Sequence, residues 1–427
     1  MVFTKELMDK KITAFGVVSS VLLYIAVAPS LGTMTQPWYL QAIISMVLIC
    51  IVFIRRGRDL RIASRYQIAS YIAKLAMSPY IFFALWTLLL MTIGAAGYSQ
   101  FTRPISTVVQ YGLVLGVMVA LSCEYGEKAI DRFFWVMCAA AFASFAKGIV
   151  LTGFGTFVAY LGGADSLAKR WFELHDIGLT MPMLFIYYFE INRMASHRGI
   201  KCFLSLAITL VCLKRIAIGA AIVVIFVSII VRTRTQKTGT LLSTLFETGL
   251  ILATCLWVYV TGTDLFSQLC SRFDINPMGR AAVYAYFRNH LSFSPTFLGQ
   301  GYGYTSVLLQ SITNTAARIE GALNIQAIHN DVLKTYIEEG PWLFLFWVIW
   351  FALFIPKKLG SKYGQQTERA SLLVFIYAFI VYFTDNTTSY FCFQCAIYLM
   401  IFCFIEGHLA VIRNDYQVES DCYGIQE

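Results

Sequence analysis

The chain has 427 residues, a net charge of +9, 58% hydrophobic residues and only 13% charged residues. Soluble domains carry roughly a quarter charged residues, so lipid must replace water around much of this surface. The excess positive charge lies in short loops, which excludes the basic face of a nucleic-acid-binding protein. We therefore expect an all-α, polytopic membrane protein in which residues 1–427 form a single integral membrane domain.

Apolar stretches near bilayer length recur along the chain, and backbone groups in lipid must be hydrogen-bonded within their own segment. About twelve transmembrane helices are predicted, at about 12–32, 38–54, 77–97, 105–122, 131–151, 176–192, 199–213, 216–231, 241–262, 339–355, 369–384 and 389–412. The first stretch is interpreted as a retained span rather than a cleaved signal, because no small-residue cleavage site follows it.

The charges of the loops test this count. Lys and Arg concentrate after the second, sixth, eighth and tenth predicted spans, within 55–74, 193–201, 232–237 and 357–369. These loops share one side of the membrane if the count is right, and the alternate loops are poor in Lys and Arg. The positive-inside rule then places the basic loops and both termini in the cytoplasm.

The stretch 199–231 cannot be one spanning helix. It would be about 48 Å long, which exceeds the thickness of a bilayer, and both of its flanks are basic and therefore cytoplasmic. The chain must turn back at Lys214-Arg215. The two arms are short, so this turn should lie recessed below the outer surface, where a cation needs a cavity or a partner.

The largest outer segment, 263–338 between spans nine and ten, is expected to be an ordered periplasmic loop. Within it, Asn276 and Pro277 have the residue types of a helix cap and a first helical position. One face of that helix would carry Arg280, Tyr284, Phe287, Arg288 and Leu291. Arg280 in the first turn opposes the helix dipole, which makes sense if an anion binds there. The alternative is an amphipathic helix lying on the membrane with Arg280 near lipid phosphates.

His329 lies at the outer end of the tenth predicted span, followed by Asn330 and Asp331. A histidine there is either an interfacial residue or a general base for a reacting hydroxyl. Pro341 after Gly340 predicts a break, which would place His329 and Glu338 on a short helix before the span proper.

Other polar or thiol pairs have plainer interpretations. The segment 169–176, with Arg170 and His175, and the turn at Asp385-Asn386 are interpreted as solvated connections rather than sites. The C-x-x-C at 392–395 is interpreted as packing within an apolar run. Because the remaining polar residues collect on the outer side rather than at the midplane, an enzyme acting on a lipid-linked substrate is favoured over a transporter.

Three patches resemble the bacterial O-antigen polymerase and O-antigen ligase superfamily, the Wzy-type polymerases and their ligase relatives. One patch is the turn KRIA at 214–217; another is GRAAVY at 279–284 followed by FLGQGYGY at 297–304, like the family's GR…W…GxGxG loop. The last is HNDVL at 329–333 with EEG at 338–340, like HNxxLxxxxExG. A further stretch, 173–182, matches loosely, with His175-Asp176 where a Pro-Asn pair often stands. These patches cover roughly the second half of the chain.

The resemblance implies a glycosyltransferase that uses undecaprenyl-diphosphate-linked oligosaccharide and no metal or other cofactor. Arg215 and Arg280 would bind the diphosphate, and His329 would activate the acceptor hydroxyl in an inverting displacement. Further candidate substrate-binding residues are Arg170, His175, Lys214, Tyr284, Arg288, Asn330 and Glu338.

The acceptor distinguishes two enzymes within this resemblance. A polymerase, which acts with a chain-length regulator, uses another lipid-linked repeat unit as its acceptor. A ligase uses the lipid A core. The run YFTDNT at 382–387 looks more like the polymerases, which favours polymerisation at the outer face of the cytoplasmic membrane. A lipid-linked oligosaccharide flippase is a non-enzymatic alternative, but the charge pattern does not indicate the large polar cavity that it needs.

Overall fold

A computed structural model describes residues 16–26, 38–56, 60–163, 169–232, 236–277, 279–314 and 328–423. Within these ranges every regular element is helical, which confirms the all-α prediction. Six helical stretches are long and apolar enough to cross a membrane by length and composition: Ala63–Thr92, Thr102–Thr152, Arg215–Arg232, Leu241–Gly262, Asp331–Tyr363 and Phe391–Val411.

The helices are numbered in chain order. Those before residue 213 are α1 (Gly16–Ala26), α2 (Trp38–Arg56), α3 (Leu60–Thr92), α4 (Thr102–Tyr125), α5 (Ala129–Thr152), α6 (Phe154–Leu161), α7 (Lys169–Phe172), α8 (His175–Ile186) and α9 (Arg198–Val211). Those after it are α10 (Arg215–Arg232), α11 (Gln236–Gly262), α12 (Leu265–Arg272), α13 (Arg280–Arg288), α14 (Tyr304–Asn314), α15 (Asp331–Ile349), α16 (Ile355–Tyr363), α17 (Gln365–Tyr382) and α18 (Phe391–Tyr423).

Two predicted breaks are present. Helix α9 ends at Val211 and α10 begins at Arg215, so 199–231 is not one helix. Leu213, between them, has a left-handed φ of 52°, which a helix interior excludes. Helix α15 is broken at Gly340, with φ 71° and ψ 175°, next to Pro341. Both breaks follow from residues that the sequence marks, a basic pair inside an apolar run and a Gly-Pro pair.

The apolar stretch 102–152 would form a helix about 76 Å long if it were straight. It is interrupted instead by the 3₁₀ turn Gly126–Lys128, where Gly126 has a φ of 56°. The predicted spans 105–122 and 131–151 therefore fall on separate helices, α4 and α5.

The chain forms two compact units, which are described separately. Unit 1 comprises Met1–Lys74, Leu113–Ala221 and Tyr390–Glu427, and unit 2 comprises Leu75–Gly112 and Ile222–Ser389. The expectation of one integral membrane domain stays a prediction.

In unit 1, α8 packs against both α9 and α18. Ion pairs join its helices, including Lys201 with Asp131 at 2.7 Å and Arg65 with Glu406 at 3.3 Å. Cys392 and Cys395 are fully buried in α18 and form no disulfide, which confirms their assignment to packing.

In unit 2, α11 packs against α15 and α17, and α16 packs on α17. Lys357 bridges two carboxylates from neighbouring helices, Glu247 at 3.2 Å and Glu368 at 2.6 Å. The short helices α12, α13 and α14 lie within 263–338, the segment for which the sequence predicts helical order. They carry the GRAAVY patch and part of the glycine-rich patch.

Candidate functional site

The glycine-rich loop 297–304 is hydrogen-bonded to the break in α15. Pro341 has no backbone N–H, so the Ile337 carbonyl lacks its usual intrahelical donor. The backbone N–H of Gln300 donates to this carbonyl at 3.0 Å, and the N–H of Gly301 donates to the Glu338 carbonyl at 2.8 Å. The loop therefore supplies the hydrogen bonds that the broken helix cannot make for itself.

Two glycines make this approach possible. Gly299 and Gly340 have positive φ angles of 84° and 71°. A Cβ at Gly299 would lie under 3.0 Å from the Glu338 carbonyl oxygen, and one at Gly340 under 3.0 Å from the Phe297 carbonyl oxygen. Each glycine is required both by its dihedral angles and by the backbone that faces it.

The side chain of Glu338 strengthens the same contact. Its Oε1 accepts hydrogen bonds from the Thr305 backbone N–H at 3.0 Å and from the Thr305 hydroxyl at 2.6 Å. Glu338 is 1% exposed, so this carboxylate anchors the start of α14 rather than facing solvent. The loop is held on its other side by Thr87, whose hydroxyl oxygen accepts from the Tyr302 N–H at 2.7 Å.

His329 precedes Asn330, the residue before α15, in a left-handed conformation with φ 50°. The prediction that His329 itself lies on the short helix before Gly340 is therefore wrong, although Glu338 does lie on it. Its Nδ1 is 3.5 Å from the Asp385 Oδ1, and its side chain is about one-third exposed while that of Asp385 is buried. Asn330 is the N-cap of α15, and its side chain accepts from the Leu333 N–H at 2.9 Å. Because the acid faces Nδ1, the other ring nitrogen of His329 is the one that can reach a substrate.

Asp331 fixes the segment that carries Asp385. Its carboxylate accepts from the Thr388 backbone N–H at 2.8 Å and from the Thr388 hydroxyl at 2.5 Å. The Asp331 N–H donates to the Asp385 carbonyl at 3.2 Å. The interpretation of Asp385-Asn386 as a solvated turn is therefore wrong, since the two residues are only 4% and 7% exposed.

Helix α13 brings the GRAAVY patch to the same place. The Tyr284 hydroxyl donates to the His329 carbonyl at 3.3 Å. Burial raises the pKa of Tyr284 to about 12, the nearby charge of Arg280 lowers this pKa, and that of Asp385 raises it. Arg280, Tyr284, His329 and Asp385 thus form one cluster of interacting groups in unit 2.

The start of α13 differs from the prediction. The helix begins at Arg280 and its N-cap is Gly279, so Asn276 is not the cap and Pro277 is not in the first turn. Gly279 has a φ of 80°, which ends any continuous helix at that point. The Pro277 carbonyl instead accepts from the Arg280 N–H at 3.0 Å in a turn.

The arginines of α13 have different surroundings. Arg288 pairs with Asp264, so its charge is already neutralised inside unit 2. The guanidinium of the half-buried Arg280 makes no hydrogen bond or ion pair with any residue that the structure describes. Of the two, Arg280 is the better placed to take an anion from outside.

Unit 1 carries the other predicted residues. Arg215, the first residue of α10, is exposed, and its guanidinium has no hydrogen bond or ion pair with the described part of the chain. The Lys214 Nζ lies 2.8 Å from the Glu173 Oε1 and 2.7 Å from the His175 Nδ1. The side chain of Arg170 lies outside the described residues.

The sequence predicts a solvated connection around His175, but this segment is partly buried. Asp176 is 1% exposed, and its carboxylate accepts from the N–H groups of Cys392 and Phe393 at 3.3 and 3.2 Å. A carboxylate at the first turn of α18 is favoured by the helix dipole.

The structure thus gathers Arg280, Tyr284, His329, Asn330 and Glu338 within unit 2, and Lys214, Arg215 and His175 within unit 1. Sequence reasoning missed three partners. They are Asp385 beside His329, Thr305 beside Glu338, and Glu173 beside Lys214. Only the polar character of these residues inside apolar surroundings could have indicated them. Among the described residues, no three His, Cys, Asp or Glu side chains are grouped as metal ligands.

Comparisons with models of known protein families, with curated proteins and with solved structures found no match to this chain. The fold and composition define its class, an all-helical membrane protein with transmembrane helices.

Proposed function

We propose that this protein polymerises undecaprenyl-diphosphate-linked oligosaccharide repeat units into a surface polysaccharide, O-antigen or capsule. The reaction is an inverting glycosyl transfer that needs no metal, at the outer face of the bacterial cytoplasmic membrane. The observation that carries the proposal is the cluster of Arg280, Tyr284, His329 and Asp385. Two of the patches that resemble the O-antigen polymerase and ligase superfamily meet in this cluster.

The proposed chemistry follows from the roles of these groups. His329 takes the proton of the acceptor hydroxyl on the ring nitrogen away from Asp385, and Asp385 stabilises the imidazolium that forms. The acceptor oxygen bonds to the anomeric carbon of the donor while the bond from that carbon to the diphosphate oxygen breaks. Attack opposite the leaving group inverts the anomeric centre.

The leaving diphosphate carries the developing negative charge, and the proposed roles of Arg280 and Arg215 are to bind its oxygens. Neither guanidinium is neutralised by a carboxylate in the described part of the chain, whereas Arg288 and Lys214 are. This difference supports the choice of Arg280 and Arg215, since an arginine already paired to an acid gains less from binding an anion.

The proposed topology is that of the sequence analysis: about twelve spans, both termini in the cytoplasm, and 263–338 as a periplasmic loop between spans nine and ten. The break at Lys214-Arg215 and the turn Gly126–Lys128 support this count, because each divides an apolar stretch into two of the predicted spans. The basic ends of the helices would face the cytoplasm and the His329 cluster the periplasm.

Polymerase is preferred to ligase on the run YFTDNT at 382–387, which contains Asp385. The partners are then a lipid-linked repeat unit as donor, a second as acceptor, membrane lipid, and a chain-length regulator. The glycan of a deletion strain separates the two enzymes. Single repeat units on the lipid A core are expected for a polymerase, whereas polymer retained on its lipid carrier would identify a ligase.

Complementation of that strain tests the site. Arg280→Ala, Arg215→Ala and His329→Ala should each abolish chain growth while the protein remains at normal level in the membrane. The matched control is Arg272→Ala, at the exposed end of α12, which should leave the glycan ladder intact. Full activity of His329→Ala or Arg280→Ala would refute the proposed chemistry. Purified protein should also extend a synthetic lipid-diphosphate repeat unit in the presence of EDTA.

A further inference from the structure

Glu173, Lys214 and His175 form a hydrogen-bonded chain in unit 1. The Lys214 ammonium is within 2.8 Å of Glu173 and 2.7 Å of the His175 Nδ1. Lys214 is 7% exposed, whereas the His175 ring is exposed. A charged group thus lies beneath a histidine at the surface of the protein.

The backbone holds this arrangement closely. Gly178 lies in the first turn of α8, and a Cβ there would be 2.8 Å from the Cys212 Cβ and 2.9 Å from the Lys214 Cγ. Only a glycine lets the turn between α9 and α10 pack against the start of α8. The Lys214 side chain is therefore directed toward residues 173–175 by main-chain packing.

The chemistry of the three groups fixes the protonation of the histidine. A lysine ammonium has donors and no acceptor, and that of Lys214 also donates to the carboxylate of Glu173. The His175 Nδ1 must therefore accept its hydrogen bond and carries no proton. The ring is then neutral, and its one N–H is on Nε2, the nitrogen directed away from Lys214.

We propose that Lys214 locks His175 as a neutral Nε2–H donor, and that His175 and Arg215 together bind an oxygen of a phosphate group. Arg215 follows Lys214 directly in the chain, is exposed, and begins α10. A guanidinium and an imidazole N–H both donate to phosphate oxygens. Lys214 and Glu173 are positioning residues. The inference rests on the proposed function, where this phosphate belongs to the lipid-linked donor or acceptor.

The tautomer is tested by ¹⁵N NMR of the full-length protein in an uncharged detergent, with histidine as the labelled residue. The spectrum separates Nδ1–H, Nε2–H and doubly protonated rings, and comparison with His175→Gln assigns the signal of His175. In the wild type we expect a neutral His175 ring with its proton on Nε2. In Lys214→Met we expect a mixture of the two neutral tautomers. An Nδ1–H or doubly protonated His175 in the wild type would overturn the inference.

Ligand binding is tested by titrating inorganic diphosphate into the same sample. We expect the His175 Nε2–H signal to shift and His175→Asn to weaken the affinity about tenfold. Asparagine keeps an acceptor for Lys214 but has no donor at the Nε2 position, whereas His175→Gln restores one and should recover most of the affinity. Equal affinity for wild type and His175→Asn would contradict the proposed contact.

Nanodiscs distinguish the two sources of phosphate. A shift produced by phosphatidylglycerol but not by phosphatidylcholine or diphosphate assigns the contact to a lipid headgroup, and a shift produced by diphosphate assigns it to the substrate. A signal that responds to neither refutes phosphate binding. In cells, His175→Asn is compared with His329→Ala. If His175→Asn makes a normal glycan ladder while His329→Ala makes none, this inference is refuted and the proposed function is not.

Discussion

Gly299 and Gly340 face each other through their backbones, where the glycine-rich loop of unit 2 meets the break in α15. Both have positive φ angles, and a Cβ on either would lie under 3.0 Å from the main chain of the other segment. Two patches that are separated along the chain, FLGQGYGY and EEG, thus form one structural contact. This contact orients α15 with respect to the loop, and His329 lies at the start of that helix.

The first prediction concerns these glycines. Gly299→Ala and Gly340→Ala should each lower the free energy of unfolding by about 2 to 4 kcal/mol, because left-handed strain adds to a backbone clash. Gly94→Ala is the matched control, since Gly94 has a φ of 69° and open space around its Cα. It should cost about 1 kcal/mol from strain alone. Thermal unfolding in detergent measures all three, and equal losses would show that the backbone contact is not tight.

The sequence predicts these interruptions better than it predicts their partners. Pro341 and Gly340 mark a break through their own chemistry, and Lys214-Arg215 mark one because a basic pair cannot sit inside an apolar span. Nothing local shows that the N–H groups of Gln300 and Gly301 satisfy the freed carbonyls of α15. Such contacts depend on how distant segments pack, as with Thr87 and Tyr302, which are 215 residues apart.

The same limit explains the errors in the candidate site. Asn276 is a good helix cap by residue type, but the φ of Gly279 starts the helix three residues later. The sequence predicts a solvated turn at Asp385, because polar residues between spans usually face water. Its burial follows from Asp331 holding Thr388, a contact 57 residues apart in the chain. A single sequence does not show which distant segments pack together and thereby bury a polar side chain.

The second prediction separates a structural from a binding role for Glu338. Glu338→Ala leaves the N–H and hydroxyl of Thr305 without their acceptor and should cost about 2 kcal/mol. Glu338→Gln keeps an oxygen in place, so its unfolding temperature and glycan ladder should stay near those of the wild type. A stable Glu338→Gln protein that makes no polymer would show instead that the negative charge of Glu338 acts on the substrate.

The third prediction isolates the charge beside His329. Asp385→Asn retains Oδ1, which accepts from the Asn386 N–H at 2.8 Å, and removes only the negative charge. The fold should survive, whereas kcat for glycosyl transfer should fall about tenfold to a hundredfold with KM little changed. The assay is extension of a synthetic lipid-diphosphate repeat unit by purified protein. Unaltered kcat in Asp385→Asn would remove Asp385 from the proton-transfer step.

A matched control for Asp385 is Thr388→Val. It removes the hydroxyl that bonds Asp331 and leaves the charge next to His329 in place. It should lower the unfolding temperature by a few degrees and reduce kcat much less than Asp385→Asn does. If both variants lose the same activity, the effect of Asp385→Asn reflects disturbance of the segment rather than loss of its charge.

The fourth prediction concerns Tyr284, which joins α13 to His329. Tyr284→Phe removes the hydrogen bond to the His329 carbonyl but keeps the ring, which packs edge-on against Phe266 at 5.0 Å. The loss should be about 1 kcal/mol in stability at neutral pH. Tyr286→Phe is the control, because the Tyr286 hydroxyl makes no hydrogen bond with the described residues. It should change the unfolding temperature little.

Tyr284 also has a distinctive response to alkaline pH. Burial raises its pKa from 10.0 to about 12, so the unfolded chain loses this proton first as the pH rises. The stabilising contribution of the buried phenol is full below pH 10 and is lost as the pH approaches 12. Unfolding temperatures recorded between pH 9 and pH 11 should therefore fall more steeply for the wild type than for Tyr284→Phe. Parallel curves would mean that the Tyr284 hydroxyl is open to water. The hydrogen bond that joins α13 to His329 would then be open to water as well.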